Sequence, residues 1–421
     1  MSLSLRSEDR GVAIPDSIPN DLITEIFLRL PAKSVARFRC VSKQWRSMSH
    51  LPYFTELFLT RSRSRPRLLF ALQRGYPCDW SFFSSPQLQN PYDCKVSVGF
   101  HMKLPREMCT ERFCGPVSGL IYFCIREVSQ KSDKDAVLVF FNPRTRQYAK
   151  FSELKTDFSA SFLGFDPIDK QFKVLSMSRP YHRILTLGTG NMRWRKIQCP
   201  LNHLPLGEVV CINGAMYYSA EVSKSSFAIV CFDLRSEKYK FIEAKRYLED
   251  LFNYKGKLGR INLRYVKDGN TLALHVKVLE DVENQKWSKN VYTLPENAPV
   301  DRYDAYIVGV SATGEIVLSE RRTSQQRFYV FYFNPERNTF QRVEIQGFGD
   351  YYHQNPAHSV SVFVDLVEDL HVNDAKYLKS SQGLDIIRER PTPLKPLPIP
   401  QKICSSAPSL KNKYELLEDL E

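Results

Sequence analysis

Metal-dependent or nucleophilic chemistry in this 421-residue chain would have to be built from its 8 His, its 10 Cys and its carboxylates. A zinc site needs thiolates or imidazoles at short, repeated spacing, and the chain has neither a C-x-x-C pair nor a regular cysteine period. His353 and His358 are close in an Asn- and Pro-containing segment, but not at a useful ligand spacing. His101, Cys109 and Cys114 are near one another in sequence without a closed ligand set. No phosphate-cradling G-x-x-x-x-G-K-[ST] loop is present, and neither is H-E-x-x-H or G-x-S-x-G. No carboxylate cluster singles itself out as an acid–base pair. The residues therefore predict no catalytic group, no cofactor and no metal. The surfaces that remain to be explained are apolar and basic.

The formal net charge is +13. A basic balance suits nucleic acid, a membrane surface or an acidic partner. The basic residues are scattered, however, and the densest run, Arg61-Ser-Arg-Ser-Arg-Pro-Arg67, is short. No nucleic-acid reader motif accompanies it, so it is read as a solvated connector. The first ten residues, MSLSLRSEDR, have no apolar core of the secretory kind, and no stretch approaches a bilayer-spanning length. The cysteines are then expected as reduced thiols, in the cytoplasm or the nucleus.

Residues 14–54 carry the clearest helical pattern. Asn20 is a plausible N-cap with Asp21 in the first turn, and Leu22, Ile23, Ile26, Phe27 and Leu30 follow at helical spacing. Pro31 stops that helix, because it lacks an N–H and disfavours helical geometry in the residue before it. A second short helix is expected from about Lys33 to Arg39, with Val35 and Phe38 three apart. Ser42 can cap a third, which carries Trp45 and Met48. About forty residues are few for a self-sufficient core. The excess apolar surface must be buried by the rest of the chain or by a partner.

This stretch resembles an F-box of the plant type. The likeness rests on Ile18-Pro19-Asn20-Asp21-Leu22, on Glu25-Ile26-Phe27-Leu28-Arg29-Leu30-Pro31, on Lys33-Ser34-Val35, on Arg37 to Lys43, and on Trp45-Arg46. Phe27 departs modestly from the aliphatic residue common at its position. In the family, the module docks on the small Skp-type adaptor of a cullin-based ubiquitin ligase. The remainder of the protein selects the substrate.

From about residue 115 the texture changes to short runs of Val, Ile, Phe and Tyr separated by turn residues, which reads as strands. Ala244 to Phe252 is the main exception, with a helix period. Residues 73–110 are hard to read and hold room for one or two irregular strands. One turn recurs: a strand ending in apolar residues, a charged turn, then a strand opening on an aromatic residue. Its instances end at Tyr148, Trp194, Tyr239, Trp287 and Phe340, at intervals of 46, 45, 48 and 53 residues. Gly119, Gly164, Gly214, Gly259 and Gly314 drift in phase with it. Asn213-Gly214 suits a type I′ turn, in which both central residues need positive φ.

A period of roughly 40–50 residues with about four strands per unit is that of propeller blades. Strands at Arg67–Leu72 and His358–Leu366 lie outside the five repeats and are placed to close a sixth blade from both ends. About six blades are expected, within roughly five to seven; the rival architecture is an irregular β-sandwich.

This second region resembles the F-box-associated, kelch-like domain of plant F-box proteins. The residues that carry the likeness are Gly115-Pro-Val-Ser-Gly-Leu-Ile121, Phe140-Phe-Asn-Pro-Arg144, Leu163-Gly-Phe-Asp-Pro167, Phe172-Lys-Val-Leu175 and Phe333-Asn-Pro335. The paired glycines of a full kelch blade are absent. The organisation expected is a flexible leader over 1–13, an F-box of three helices over 14–60, an all-β propeller-like domain over 61–370, and a proline-rich, mostly disordered tail over 371–421. PTPLKPLPIP, ending at Pro400, is expected as extended polyproline II, followed by a short acidic helix at the end.

The two resemblances imply a substrate-recognition subunit of an SCF-type E3 ubiquitin ligase, non-catalytic, bound to a Skp-type adaptor and through it to a cullin. Ubiquitin transfer needs a RING or a catalytic-cysteine domain, and neither is recognisable, so such a chain would act by tethering. The adaptor contact is expected on Pro19, Leu22, Ile26, Leu30, Pro31, Val35, Val41 and Trp45, some of which must instead be core. Leu22 and Ile26, four apart, share a helix face. The substrate and its contacts are unknown. The alternative is a propeller-type binding or scaffold protein outside any ligase; a third reading is an enzyme on the propeller.

Overall fold

The structure, a computed structural model, describes residues 18–74, 79–87, 94–104, 114–126, 136–143, 147–154, 160–177, 181–188, 192–244, 250–266, 271–295, 298, 300, 305–320, 327–348, 359–368, 370 and 384–388.

Prolines set the frame of the N-terminal helices. Pro19 occupies the N-cap position of α1 (Asn20–Arg29) with φ −54° and ψ 141°, and its carbonyl accepts from Ile23 N. Asn20, expected as the cap, is instead the first helical residue; its Oδ1 accepts from Gln44 Nε2 at 2.7 Å. Pro31 forces Leu30 into extended geometry (ψ 152°) and then caps α2 (Ala32–Phe38). Ser42 stands at the N-cap of α3 (Lys43–His50) without a side-chain cap bond. A fourth helix, α4 (Pro52–Arg63), joins the three expected ones, with proline in its first turn.

α4 takes up the start of the basic run read as a connector. Arg61 and Arg63 lie in its last turn, where cations suit the helix dipole. Arg61 also makes a two-pronged ion pair with Glu25 of α1, at 3.0 and 2.8 Å. Arg61, followed by Arg29, holds the Glu25 carboxyl below its usual range. The core of the module joins Phe27, Leu28, Ala32, Val35, Phe54 and Phe58. Phe27, Phe38 and Trp45 close it with three ring contacts of 5.2 to 5.5 Å.

The β region forms six sheets, which excludes the sandwich. The first sheet contains β1 (Arg67–Arg74), β2 (Asp79–Pro86) and β4 (Gly99–Lys103), with β25 (Ser359–Leu366) as its inner strand. The next runs outward from β5 (Cys114–Val117) through β6 (Leu120–Arg126) and β7 (Ala136–Asn142) to β8 (Gln147–Leu154). Three further sheets follow the same in-to-out order. They are β9 (Ala160–Asp166) to β12 (Arg195–Ile197), β13 (Leu204–Ile212) to β16 (Tyr239–Ala244), and β17 (Leu251–Tyr254) to β20 (Lys286–Thr293). The last runs from β21 (Ala305–Val310) to β24 (Thr339–Gln346), with β3 (Lys95–Ser97) added in parallel at its edge. β1 pairs antiparallel with β25, Phe70 opposite Val362, so strands from the two ends of the domain close the ring.

Each blade buries both faces, and strand alternation explains how. In β7, Leu138 and Phe140 pack with Leu163, Phe172 and Val174 of the following blade. Val137, Val139 and Phe141, of opposite parity, pack with Leu69 and Phe82 of the preceding one. This is why the strands read as unbroken apolar runs. Other clusters fill the remaining blade interfaces in the same way.

The recurring turn joins the third and fourth strands of its blades, and a local hydrogen bond explains its sequence. Asp233 Oδ1 accepts from Ser236 N at 2.7 Å, Asp281 Oδ1 from Glu283 N at 2.8 Å, and Asn334 Oδ1 from Glu336 N at 3.0 Å. The phased glycines divide. Asn213-Gly214 (φ 49° and 84°) sits in the turn after an inner strand, as expected for type I′, and Gly119 and Gly314 occupy the same place in their blades. Gly164 and Gly259 lie within strands; a Cβ on Gly164 would meet Leu234 Cδ1 at 2.8 Å and Met216 at 2.9 Å.

Three further expectations change. The helix expected over Ala244–Phe252 is strand at both described ends, in β16 and β17, because apolar residues there face blade interfaces. Residues 73–110 hold the end of β1, all of β2 and the short β3 and β4, three whole strands where one or two were expected. The stretch expected as a tail contributes β26 (Leu384–Arg388), which pairs antiparallel with β8 at the outer edge of its blade. The leader, the polyproline segment and the acidic end lie outside the described residues.

Candidate protein-binding surfaces

The eight residues expected at a partner contact separate by burial. Leu22 (56 % exposed) and Ile26 (49 %) project from one face of α1, and Val41 (70 %) stands in the turn before α3. The Gln44–Asn20 hydrogen bond ties the first turn of α3 to the start of α1. Pro19 and Pro31 are exposed. Leu30 and Trp45 are half-buried against the helical core. Val35 has no exposed surface and is a core residue, with nothing to offer a partner. Ile18, 60 % exposed just ahead of α1, extends the apolar surface. On α4, Tyr53 and Leu57 are also exposed, four residues apart on one helix face. That spacing was visible in the sequence and is the signal that would have found them.

The propeller fixes the orientation of this module. Glu368, just beyond β25, accepts from Ala32 N through Oε2 at 2.7 Å, so it caps α2. Its own backbone N–H donates to Ser62 Oγ of α4 at 2.6 Å. Leu370 enters the helical core. These contacts supply what about forty residues could not bury alone.

A cavity of about 410 Å³ lies within the ring, with each inner strand contributing: Val117, Phe165, Cys211, Phe252, Val308 and Phe363. Asp365 also reaches it, in the left-handed backbone region at φ 53°. Gln87 clamps Asp365 by two hydrogen bonds of 2.9 Å, one to the carboxylate and one from the backbone N–H. Burial raises the Asp365 carboxyl above its usual range, although the Gln87 bond opposes this. Its walls are mixed, with Glu208, Asn213 and Asn253 beside the apolar residues, a lining that suits the docking of a peptide or side chain.

A third cluster was missed by sequence spacing. His182 at the start of β11 (His182–Thr186) approaches Cys199 and His203 from the loop before β13, with one ligand atom of each within 4.8 Å of the others. Tyr239 Oη bonds His182 Nδ1 at 2.7 Å, and Tyr218 Oη bonds His203 Nε2 at 2.8 Å. Burial, then His203, pushes His182 down to about 4. Burial also lowers His203 and raises Cys199. Of the histidines the sequence pointed to, His101 bonds Ser84 Oγ at 2.7 Å. Cys109, the Cys114 side chain, His353 and His358 lie outside the described residues.

Comparison with known proteins bears on both regions. Residues 16–57 match the F-box domain, and residues 67–367 match the F-box associated beta propeller domain. Putative F-box protein At1g33020 of Arabidopsis thaliana is 48 % identical over 395 residues, covering 90 % of this chain and 70 % of its own length. F-box protein At3g57590 of the same plant is 48 % identical over 388 residues, covering 87 % of this chain and 94 % of its own. Putative F-box protein At5g42430, also from Arabidopsis thaliana, is 49 % identical over 380 residues, covering 85 % and 92 %.

Proposed function

The chain belongs to the F-box proteins that carry an F-box-associated β-propeller, and on that premise we propose that it is a substrate receptor of an SCF-type ubiquitin ligase. The helices hold a Skp-type adaptor, and the propeller holds a protein substrate. The observation that carries the reading is the exposure of Leu22 and Ile26 on a module whose other large apolar residues are mostly drawn into its core. Large apolar side chains grouped on one exposed helix face mark a protein contact. Pro19, Val41 and Ile18 extend that contact. Leu30 and Trp45 support it from beneath, and Val35 does so only through packing.

The chain works without catalysing transfer. Fixing a substrate relative to the adaptor raises the effective concentration of a substrate lysine near the ubiquitin carrier. The rigid joint through Glu368, Ser62 and Leu370 serves this role, because a loose joint would dilute the tethered substrate. The propeller cavity is the substrate contact in this reading. Its compartment in this reading is the cytoplasm or nucleus, in keeping with Cys40, an exposed thiol outside any disulfide. Co-expression of the full chain with a plant Skp-type adaptor tests the assignment. A stable one-to-one complex is expected. A folded chain that ignores several such adaptors would leave a propeller scaffold with a different partner.

A further inference from the structure

We propose that His182, Cys199 and His203 form a binding site for one zinc-class divalent cation, which joins two adjacent blades. The inference rests on geometry at the seam between the β9–β12 blade and the β13–β16 blade. His182 comes from the first. Cys199 and His203 come from the loop that leads into the second.

Three features distinguish the cluster from an ordinary pair of core histidines. First, its donors are two imidazoles and a thiol, the mixed nitrogen and sulfur set that suits zinc over calcium or magnesium. Second, Cys199 Sγ and His203 Nδ1 are 3.7 Å apart. Two ligands of one tetrahedral zinc, with Zn–N and Zn–S bonds of about 2.0 and 2.3 Å, stand about 3.5 Å apart. One edge of the coordination figure is therefore already formed, on a five-residue chelate loop. Closing the rest asks for shifts on the order of 1 Å. Third, a tyrosine hydroxyl stands behind each imidazole, Tyr239 at His182 and Tyr218 at His203. Such outer hydrogen bonds fix ring orientation at metal sites. With Nδ1 of His182 held by Tyr239, its Nε2 is the nitrogen left to coordinate.

The proton balance follows from the hydrogen bonds. His203 Nδ1 lies 2.9 Å from the Leu201 carbonyl and, in the metal-free form, donates to it. On binding, that proton leaves Nδ1 and the neutral ring carries its proton on Nε2, which then donates to Tyr218. Cys199 Sγ also gives up its bond to the Leu201 carbonyl, and its thiol proton is released to solvent. The fourth position remains for water. Cys199 is half-buried, which gives the ion a way in, while both histidines are buried.

The test uses the purified full chain, stripped with a mild chelator and titrated with cobalt and then zinc. One cobalt per chain is expected, with a thiolate-to-metal charge-transfer band and the visible bands of tetrahedral cobalt, displaced by one zinc. Cys199→Ser should abolish the charge-transfer band and weaken metal binding at least tenfold, whereas Cys40→Ser, at an exposed thiol, should leave both unchanged. Alkylation of wild-type Cys199, followed by peptide mass spectrometry, should slow at least tenfold when zinc is added; this readout needs no variant. A folded wild-type chain that shows no band at stoichiometric cobalt would overturn the site. So would a band that survives Cys199→Ser, or a Cys199 that zinc does not protect.

Discussion

The N-terminal helices and the propeller treat their apolar residues in opposite ways. In the propeller, both parities of a strand such as β7 are consumed by neighbouring blades, and the ring leaves no blade without two neighbours. The large apolar residues it exposes, such as Ile168 and Val291, are scattered. In the helical module, Leu22 and Ile26 lie outside on one face of α1 while Phe27 and Leu28 beside them are buried. The ring is complete by itself. The helices are incomplete twice over: they borrow Leu370 and Glu368 from the propeller, and they leave an apolar face of α1 exposed.

The largest effect should come from that face. Leu22→Asp with Ile26→Asp places two charges in an apolar contact, where anchor residues are each worth about 2–4 kcal/mol. Adaptor capture should fall by roughly a hundredfold or more, with the melting of the propeller unchanged. Undiminished capture would mean that the interface lies elsewhere, with Tyr53 and Leu57 the next face to examine. Phe54→Ala should instead act from within. It removes a fully buried ring and should cost about 3–5 kcal/mol. Hydrogen exchange would separate the two cases, since Phe54→Ala should speed exchange across the helices and the aspartate pair should not.

Smaller effects probe the ring. Glu237 joins the β9–β12 blade to the next through Lys173, at 2.9 Å, and Arg195. Burial alone would raise its carboxyl, but Arg195 and then Lys173 outweigh burial and hold it below the usual range. The folded state therefore prefers the ionised form. The contact is at full strength above the unfolded glutamate value of about 4.3 and is lost as pH falls through the lower folded value. Glu237→Gln should cost about 1.5–3 kcal/mol near neutral pH, and the gap from wild type should narrow on acidification. A gap that is constant with pH would show that the charge contributes nothing. Gly164→Ala should cost about 1–3 kcal/mol in melting temperature studies, because its methyl meets Leu234 and Met216 across a blade seam. The same change at Gly207, with no atom within 4 Å of a Cβ, would meet only its backbone conformation at φ 71°, which gives a control free of steric overlap.

What the sequence determined by itself was whatever depends on near neighbours. Pro19 and Pro31 place helix starts through their own φ, and apolar spacing in α1 requires no distant contact. The Asp233, Asp281 and Asn334 turns are closed by backbone groups two or three residues away, which is why their period could be read and the blades counted. Even the closing pair, β1 with β25, followed from two unclaimed strands. What only the tertiary structure decided was direction and company. Val35 and Leu22 are both apolar residues at helical spacing, yet Val35 is sealed in the core and Leu22 faces solvent, because the fourth helix and Leu370 cover one side of the module. Gly119 and Gly164 share a period but not a role, since one turns the chain and the other admits a neighbouring blade. β26 finds its partner 233 residues back, at Leu384 opposite Phe151. His182 meets Cys199 and His203 across a blade seam that no local spacing records. Those outcomes depend on packing between segments far apart in the chain, where each side chain's fate is fixed by what arrives against it.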